Sequence, residues 1–480
     1  MKIKSIIITL SALIILFSCK KSFLDLAPYD QVTTEIAITD EQEMQTALNG
    51  AYYSLHTDHR LDVTNDQSNL FDRTLPLIGD LMADNVAIVI DNSNRYTDIF
   101  NYSYLNTNNW AQDTWAAGYS TILAVNNIID ADIPVTETSS QLKGEAMTIR
   151  ALVYFNLVRL YAKPFTVDPN AEGVPLVLTY DPTLKPARSK VSEVYTQIEK
   201  DLDDAFGLMT NTSKNSSYVT KYVARALKAK VSLTKGDWAS AKTAAQDVVD
   251  NGGYSLAPAS DYVAYWANPT PVSNKLETIF EVSNDGIDNN GNNSLAYFYD
   301  PAGYGDVFAV DALSNLYSAT DVRKQLLEPG DKSGQPINIV LKYPNSSNAA
   351  DKDDDKIIRY ADVLLILAEA SARTSDEVTA RLRLNEVAQK RDPSFAGYTS
   401  TGQALIDDII LERRKELAFE GDRYWDLMRL NLDVQRVNLN NNYPSNTPLT
   451  LPAGDNKRIW PIPQAERDVN PNVTQNPGYE

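Results

Sequence analysis

The stretch from Thr220 to Gly253, TKYVARALKAKVSLTKGDWASAKTAAQDVVDNGG, constrains the fold more than any other part of the chain. Its periodicity predicts a helix, a tight Gly236-Asp237 turn and a second helix. Ala226, Ala229, Gly236 and Ala241 are small enough to let the two helices pack closely, with Leu227 beside them. Trp238 is placed to fill the groove between them. Repeated pairs of this kind stack into a solenoid. The period is degenerate elsewhere, so one clear repeat is legible rather than an array.

Other segments agree with a helical scaffold. Asp40 and Glu43 form a capping-box pattern ahead of MQTALNGAYYSLH. Trp115, Tyr119, Ile122, Val125 and Ile129 fall at helical spacing, as do Leu142, Ala146, Ile149, Val153, Leu157 and Leu160. Pro164 stops that second run, since proline lacks the amide hydrogen a helix needs. SEVYTQIEKDLDDAFGLM, KIIRYADVLLILAEASAR, EVTARLRLNEVAQKR and QALIDDIILERRKELAFE read as further helices. Residues 254–348 differ, being rich in Asn, Gly, Tyr, Pro and Ser, with ETIFEVS and INIVLKY as short strands. The tail RIWPIPQAERDVNPNVTQNPGY has too many prolines for regular structure and is expected to cross the helices as an extended segment. The expected class is mainly α: a tetratricopeptide-like helix-pair scaffold, an α/α superhelix, with loop-rich insertions carrying minor β. One domain spans 38–480, its scaffold over 38–253 and 349–480 and its insertion over 254–348.

The N-terminus predicts export. Lys2 and Lys4 precede an apolar run from Ile6 to Phe17, about a dozen residues and so the length of a signal peptide. A membrane span needs about 20. Leu16-Phe17-Ser18-Cys19 has the form of a lipobox, and Cys19 is the only cysteine. Residues 1–18 are therefore expected to be removed, Cys19 to be acylated, and 19–37 to serve as a tether. The formal charge of −19 falls to −21 once Lys2 and Lys4 are removed. That balance repels phosphate backbones and makes nucleic acid a poor partner.

No nucleophile elbow, P-loop or HExxH sequence is present, so no catalytic residue and no cofactor is predicted. His56 and His59 read as a surface pair rather than metal ligands. Glu412, Glu416 and Glu420 read as members of an ion-pair network with neighbours such as Arg413, Arg414 and Lys415, because carboxylates on one helix face do not span a sugar. Asp288 to Asn292 and Asp351 to Asp355 read as solvated turns rather than calcium sites.

LERRKELAFEGDRYWDLMRL, Leu411 to Leu430, strongly resembles the hallmark block of the SusD/RagB family. Arg359-Tyr360-Ala361-Asp362 through Ala370, Leu384-Asn385-Glu386-Val387 with Arg391, and Trp460-Pro461-Ile462-Pro463 through Tyr479 resemble three further blocks of it. Arg150 to Tyr161, and Cys19 with Phe23-Leu24-Asp25, match more loosely. The blocks follow in the family's order. Lys20 and Lys21 stand where members usually carry acidic residues, and Ala162-Lys163-Pro164 replaces a usual Gly-containing stretch. The resemblance implies a lipoprotein of the outer membrane facing the cell exterior. It would capture oligosaccharides, or in some branches peptides, and deliver them to a TonB-dependent transporter of the SusC type. A lipoprotein glycosidase and a structural helical-repeat adaptor are the alternatives. Missing catalytic motifs weigh against the first, and the aromatic insertion against the second.

A sugar site wants exposed Tyr or Trp for the apolar ring faces, beside fixed polar groups for the hydroxyls. Two segments have that mixture. One holds Asp84, Asn85, Arg95 and Tyr96. The other holds Tyr265, Trp266, Tyr297, Tyr299 and Tyr304, with Phe298.

Overall fold

The computed structural model describes residues 38–57, 69–212, 215–268, 270, 275–439, 443–444 and 446–479. The signal peptide, Cys19, the tether and His59 lie outside the described residues. Helix α1, Glu41–His56, starts at Asp40, whose carboxylate accepts from Glu43 N at 2.9 Å. The Glu43 carboxylate reaches Thr39 N and Oγ1 at 2.7 Å, one residue before the amide a capping box would use.

A buried π-helical turn, Leu70–Thr74, leads into α2, Leu75–Leu81. Then come α3, Asn109–Asp130, α4, Glu137–Tyr161, and α5, Val191–Leu208. The pair legible in the sequence is α6, Lys221–Lys235, and α7, Trp238–Asn251. Gly236 between them sits at φ +77°, a left-handed conformation that glycine adopts without steric cost. After the insertion come α8, Tyr360–Arg373, α9, Glu377–Arg391, α10, Gly402–Glu416, and α11, Asp422–Arg429. Each of α3 to α7 packs on the next, and α8 packs on α7 and α9. The stack therefore continues across the insertion, and a mainly helical, tetratricopeptide-like superhelix is the observed architecture.

The insertion supplies most of a four-stranded antiparallel sheet of order β1-β3-β5-β4. Strand β1, Val86–Ile88, comes from the N-terminal half and pairs with β3, Val307–Ala309. Strands β4, Leu327–Lys332, and β5, Gln335–Val340, form a hairpin around Ser333-Gly334, both at positive φ. A second pair joins β2, Thr278–Val282, to β6, Asp355–Arg359. Lys356 to Arg359, read above as helical, is thus strand. Pairing with β2 holds it extended, and the helix begins only at Tyr360.

The C-terminal tail does cross the helices. Trp460 N donates to Leu160 O at 2.7 Å, and Asn476 Nδ2 donates to Tyr161 O at 2.8 Å. These bonds satisfy carbonyls of the last turn of α4 that have no partner within the helix. One short helix, Gln464–Val469, fits between the prolines, because proline is tolerated just before a first helical turn.

The glutamate network is present, with Lys415 the one expected neighbour that joins it and the other partners coming from distant segments. Glu416 meets Arg323, Arg359 and Arg391, and Glu412 meets Arg323 and Lys415. Glu420 meets Arg359 and Lys342 from the turn after α10, off the shared helix face. Arg413 turns instead to Asp362 and Asp426. Burial pushes the Glu416 carboxyl up, but its three guanidinium partners outweigh that and hold it well below the ordinary value. Two other expectations need correction. His56 is buried, with Nε2 2.8 Å from Asn284 Oδ1. Asp353 and Asp355 are also buried rather than solvated. Burial pushes Asp353 up to about 7 although Asn345 donates to both of its oxygens.

Candidate functional site

Beyond β1 the chain enters a loop tied to the sheet. Val89 N donates to Asp306 O at 2.9 Å, and Ile90 N to Gln335 Oε1 at 2.9 Å. Ser93 donates to the Asp306 carboxylate through both N and Oγ. Ser333 Oγ, in the β4–β5 turn, donates to Asp91 Oδ2 at 2.5 Å. Asn94 and Tyr96 sit at φ 62° and 56°, a region that costs a non-glycine residue energy. The bonds to Asp306 over-determine the loop and hold Arg95 outward between those two residues.

A second loop meets it. Tyr304 N donates to Tyr297 O at 2.7 Å, closing a turn in which a Cβ on Gly303 would lie 2.7 Å from the same carbonyl. Only glycine fits there. Tyr304 packs edge-on against Tyr297, with ring centroids 5.3 Å apart, and Lys332 Nζ donates to Tyr304 O at 2.6 Å. The Arg95 guanidinium lies 4.5 Å from the Tyr304 ring centroid, a cation–π distance. Arg95, Tyr297 and Tyr304 are all half-buried. Burial pushes Asp306 up, while Ser93, Lys332 and Arg95 pull it back.

Beneath this surface is a buried stack. Phe298 stands edge-on to Tyr96 at 5.4 Å, and Tyr96 stacks on Trp110 at 3.9 Å. The Arg73 guanidinium lies 5.3 Å from the Trp110 ring, and its Nη1 donates to Asn293 Oδ1 at 3.1 Å. The π-helical turn thus fixes both the aromatic floor and the Asn-rich loop, since Leu295 N also donates to Asp72 O.

The other expected residues do not reach this surface. Tyr96 is 1% exposed and Trp266 3%. Asp84 accepts both Arg423 Nε and Nη2, at 2.8 and 2.9 Å, and Asn85 accepts Arg414 Nε at 2.7 Å. Burial pushes Asp84 up, yet Arg423 and Arg414 hold its carboxyl below the ordinary value. Tyr265 OH bonds Thr278 Oγ1 at 2.6 Å, and Tyr299 OH donates to Asp80 Oδ2 at 2.7 Å. Trp266 is ringed by Lys342, Lys356 and Arg359 at 4.2, 4.6 and 5.1 Å. As exposed platforms these six are corrected: each is buried, with its polar group or ring engaged by the scaffold. Of the expected set, Arg95, Tyr297 and Tyr304 come together at the surface. Ser93 and Lys332 join them without having been expected, with the buried Asp306 bracing Ser93 from beneath. The one sequence signal near them is the Gly303/Gly305 bracket around Tyr304.

The arrangement offers aromatic ring surface, a guanidinium fork and an ammonium group on a preorganised loop pair. Such a surface can hold a polar ring by stacking and hydrogen bonds. Among the described residues, no helix is long and apolar enough to cross a membrane.

Comparison with known proteins agrees along the chain. A family model described as "SusD family" matches residues 330–479, and one described as "Starch-binding associating with outer membrane" matches residues 22–233. A SusD-like protein of Formosa agariphila is 27% identical over 91% of this chain and 92% of its own length. A second from that organism is 24% identical over the full length of both. The solved structure of a SusD superfamily protein from Bacteroides vulgatus superposes with a TM-score of 0.83 at 26% identity, covering 92% of this chain and all of that one. One from Bacteroides thetaiotaomicron gives 0.81 at 27%, with the same coverage. The hallmark blocks, the helix-pair superhelix and these matches lead to one conclusion: the chain belongs to the SusD family.

Proposed function

We propose that the protein is a non-catalytic, lipid-anchored receptor that captures neutral oligosaccharides at Arg95, Tyr297 and Tyr304. It passes them to a TonB-dependent transporter of the SusC type in the outer membrane. The observation that carries this reading is the half-exposed Arg95–Tyr304–Tyr297 cluster. Tyr304 and Tyr297 offer ring faces for the apolar side of a sugar. Arg95 presents paired donors to adjacent hydroxyls, and the buried Asp306 carboxylate braces the loop that carries it through Ser93. The matching family model, named for starch binding and for association with the outer membrane, supports both the ligand class and the location. A stable complex with a barrel would bury more than the ~1,600 Å² of a standard interface.

Calorimetry with a panel of neutral oligosaccharides, and a peptide library as the alternative, tests the ligand site. Arg95→Ala and Tyr304→Ala should each weaken oligosaccharide binding about tenfold without lowering the melting temperature. Unchanged affinity in both variants, or binding of peptides alone, would overturn the reading.

A further inference from the structure

A cleft of about 210 Å³ that shares no lining residue with the Arg95–Tyr304 surface lies between the C-terminal half of α1, the turn before α6 and the end of β2. Two of its walls are Tyr218 and Tyr53, respectively 44% and 40% exposed. Asn49, Asp288 and the hydroxyls of Ser217 and Ser283 supply polar lining. Exposed rings are common, but a ring exposed on a rigidly held turn is a different matter. The turn carrying Tyr218 is fixed at four places. Ser216 Oγ donates to Glu281 Oε1 at 2.6 Å, and Glu281 N donates to Ser216 O at 3.0 Å. Ser217 Oγ pairs with Ser283 Oγ, and Val219 N donates to Tyr52 OH at 2.8 Å. Tyr52 is itself fixed, since its hydroxyl donates to Glu145 Oε2 at 2.5 Å. Its ring meets Tyr218 edge-on, with centroids 5.3 Å apart and planes at 77°. In such a perpendicular pair the neighbour covers at most one face of Tyr218, and the other ring face is left for the cleft that Tyr218 lines.

From this geometry we infer a second carbohydrate subsite, in which one neutral pyranose ring stacks on Tyr218 with Tyr53 flanking it. The inference rests on the proposed function and extends the same ligand class to a second surface. A held aromatic face loses little conformational entropy when a ring binds it. Asn49 and Asp288 are placed for the hydroxyls at the ring's edge, and the cleft is large enough for one sugar ring but not for a folded partner. Asp288 belongs to the segment that continues into Tyr297 and Tyr304, so one insertion contributes to both surfaces.

Fluorine NMR on the full-length protein in detergent, labelled with 3-fluorotyrosine, separates the two sites. Single Tyr→Phe variants assign Tyr53, Tyr218, Tyr297 and Tyr304. The probes are maltoheptaose, cellohexaose, laminarihexaose, xylohexaose, mannohexaose and tetra-alanine. The inference expects at least one sugar, and not the peptide, to shift the Tyr218 resonance. It also expects Tyr218→Ala to weaken that sugar's binding about fivefold, the scale of one aromatic contact. Shifts at Tyr297 and Tyr304 alone overturn the second subsite and leave the proposed function standing. Shifts at Tyr218 alone support the subsite and overturn the placement of the main site. No shift at any of the four overturns both.

Discussion

At the scale of single residues, burial sets the chemistry. Asp80 is pushed up to about 7 by burial, which the Tyr299 hydroxyl and the Gly421 amide offset only in part. Its unfolded value is near ~3.9, so the folded protein binds the proton more tightly. The associated stability is complete below that value and is lost as pH rises to about 7. Asp80→Asn should therefore gain on the wild type in melting temperature between about pH 5 and pH 8. Parallel curves for the two proteins would assign the slope elsewhere. Glu416 has the opposite sign: its depressed carboxyl contributes stability that is present above the unfolded value and lost as pH falls. Glu416→Gln leaves three buried guanidinium groups short of one charge, and should cost about 3–5 kcal/mol by urea denaturation. Breaking the exposed Lys200–Asp204 pair should cost no more than about 0.5 kcal/mol.

At the scale of elements, close approach decides what is tolerated. Helix α2 and the start of α11 touch through two glycines. A Cβ on Gly79 would lie 2.0 Å from Gly421 O, and one on Gly421, at φ +76°, would lie 2.6 Å from Pro76 Cα. Gly79→Ala should destabilise by about 3 kcal/mol or more. Gly50→Ala, on α1 with nothing within 4 Å, should instead gain up to about 1 kcal/mol. Thermal melts of both check the contrast, and a neutral Gly79 variant would show that the helices can part. Helices of this kind are legible in the sequence because their period, caps and stops are local. Which rings of the insertion face outward is not. Tyr299 and Tyr265 of the insertion are drawn inward by Asp80 and Thr278, as Tyr96 of the earlier segment is by Trp110; the composition of the two segments shows in the sequence, but these partners do not. Lys356 to Arg359 misled for the same reason, since β2 lies far away in sequence.

At the scale of the molecule, the proposed function needs the chain held at a membrane. Cys19→Ala should abolish lipid labelling and shift the protein from the membrane to the soluble fraction, or leave the precursor uncleaved. Unchanged labelling would refute the anchor. Protease treatment of whole cells reports separately which way the protein faces. The crossing of the tail has a consequence for how such a chain comes to be folded at all. The carbonyls of Leu160 and Tyr161 take bonds from Trp460 and Asn476, about 300 residues downstream. During synthesis the first half emerges without them. Closing so long a loop is entropically slow, so the tail works as a late fastening. Until it arrives the end of α4 lacks these bonds, so the first half of the chain completes its hydrogen bonding only when the second half is made.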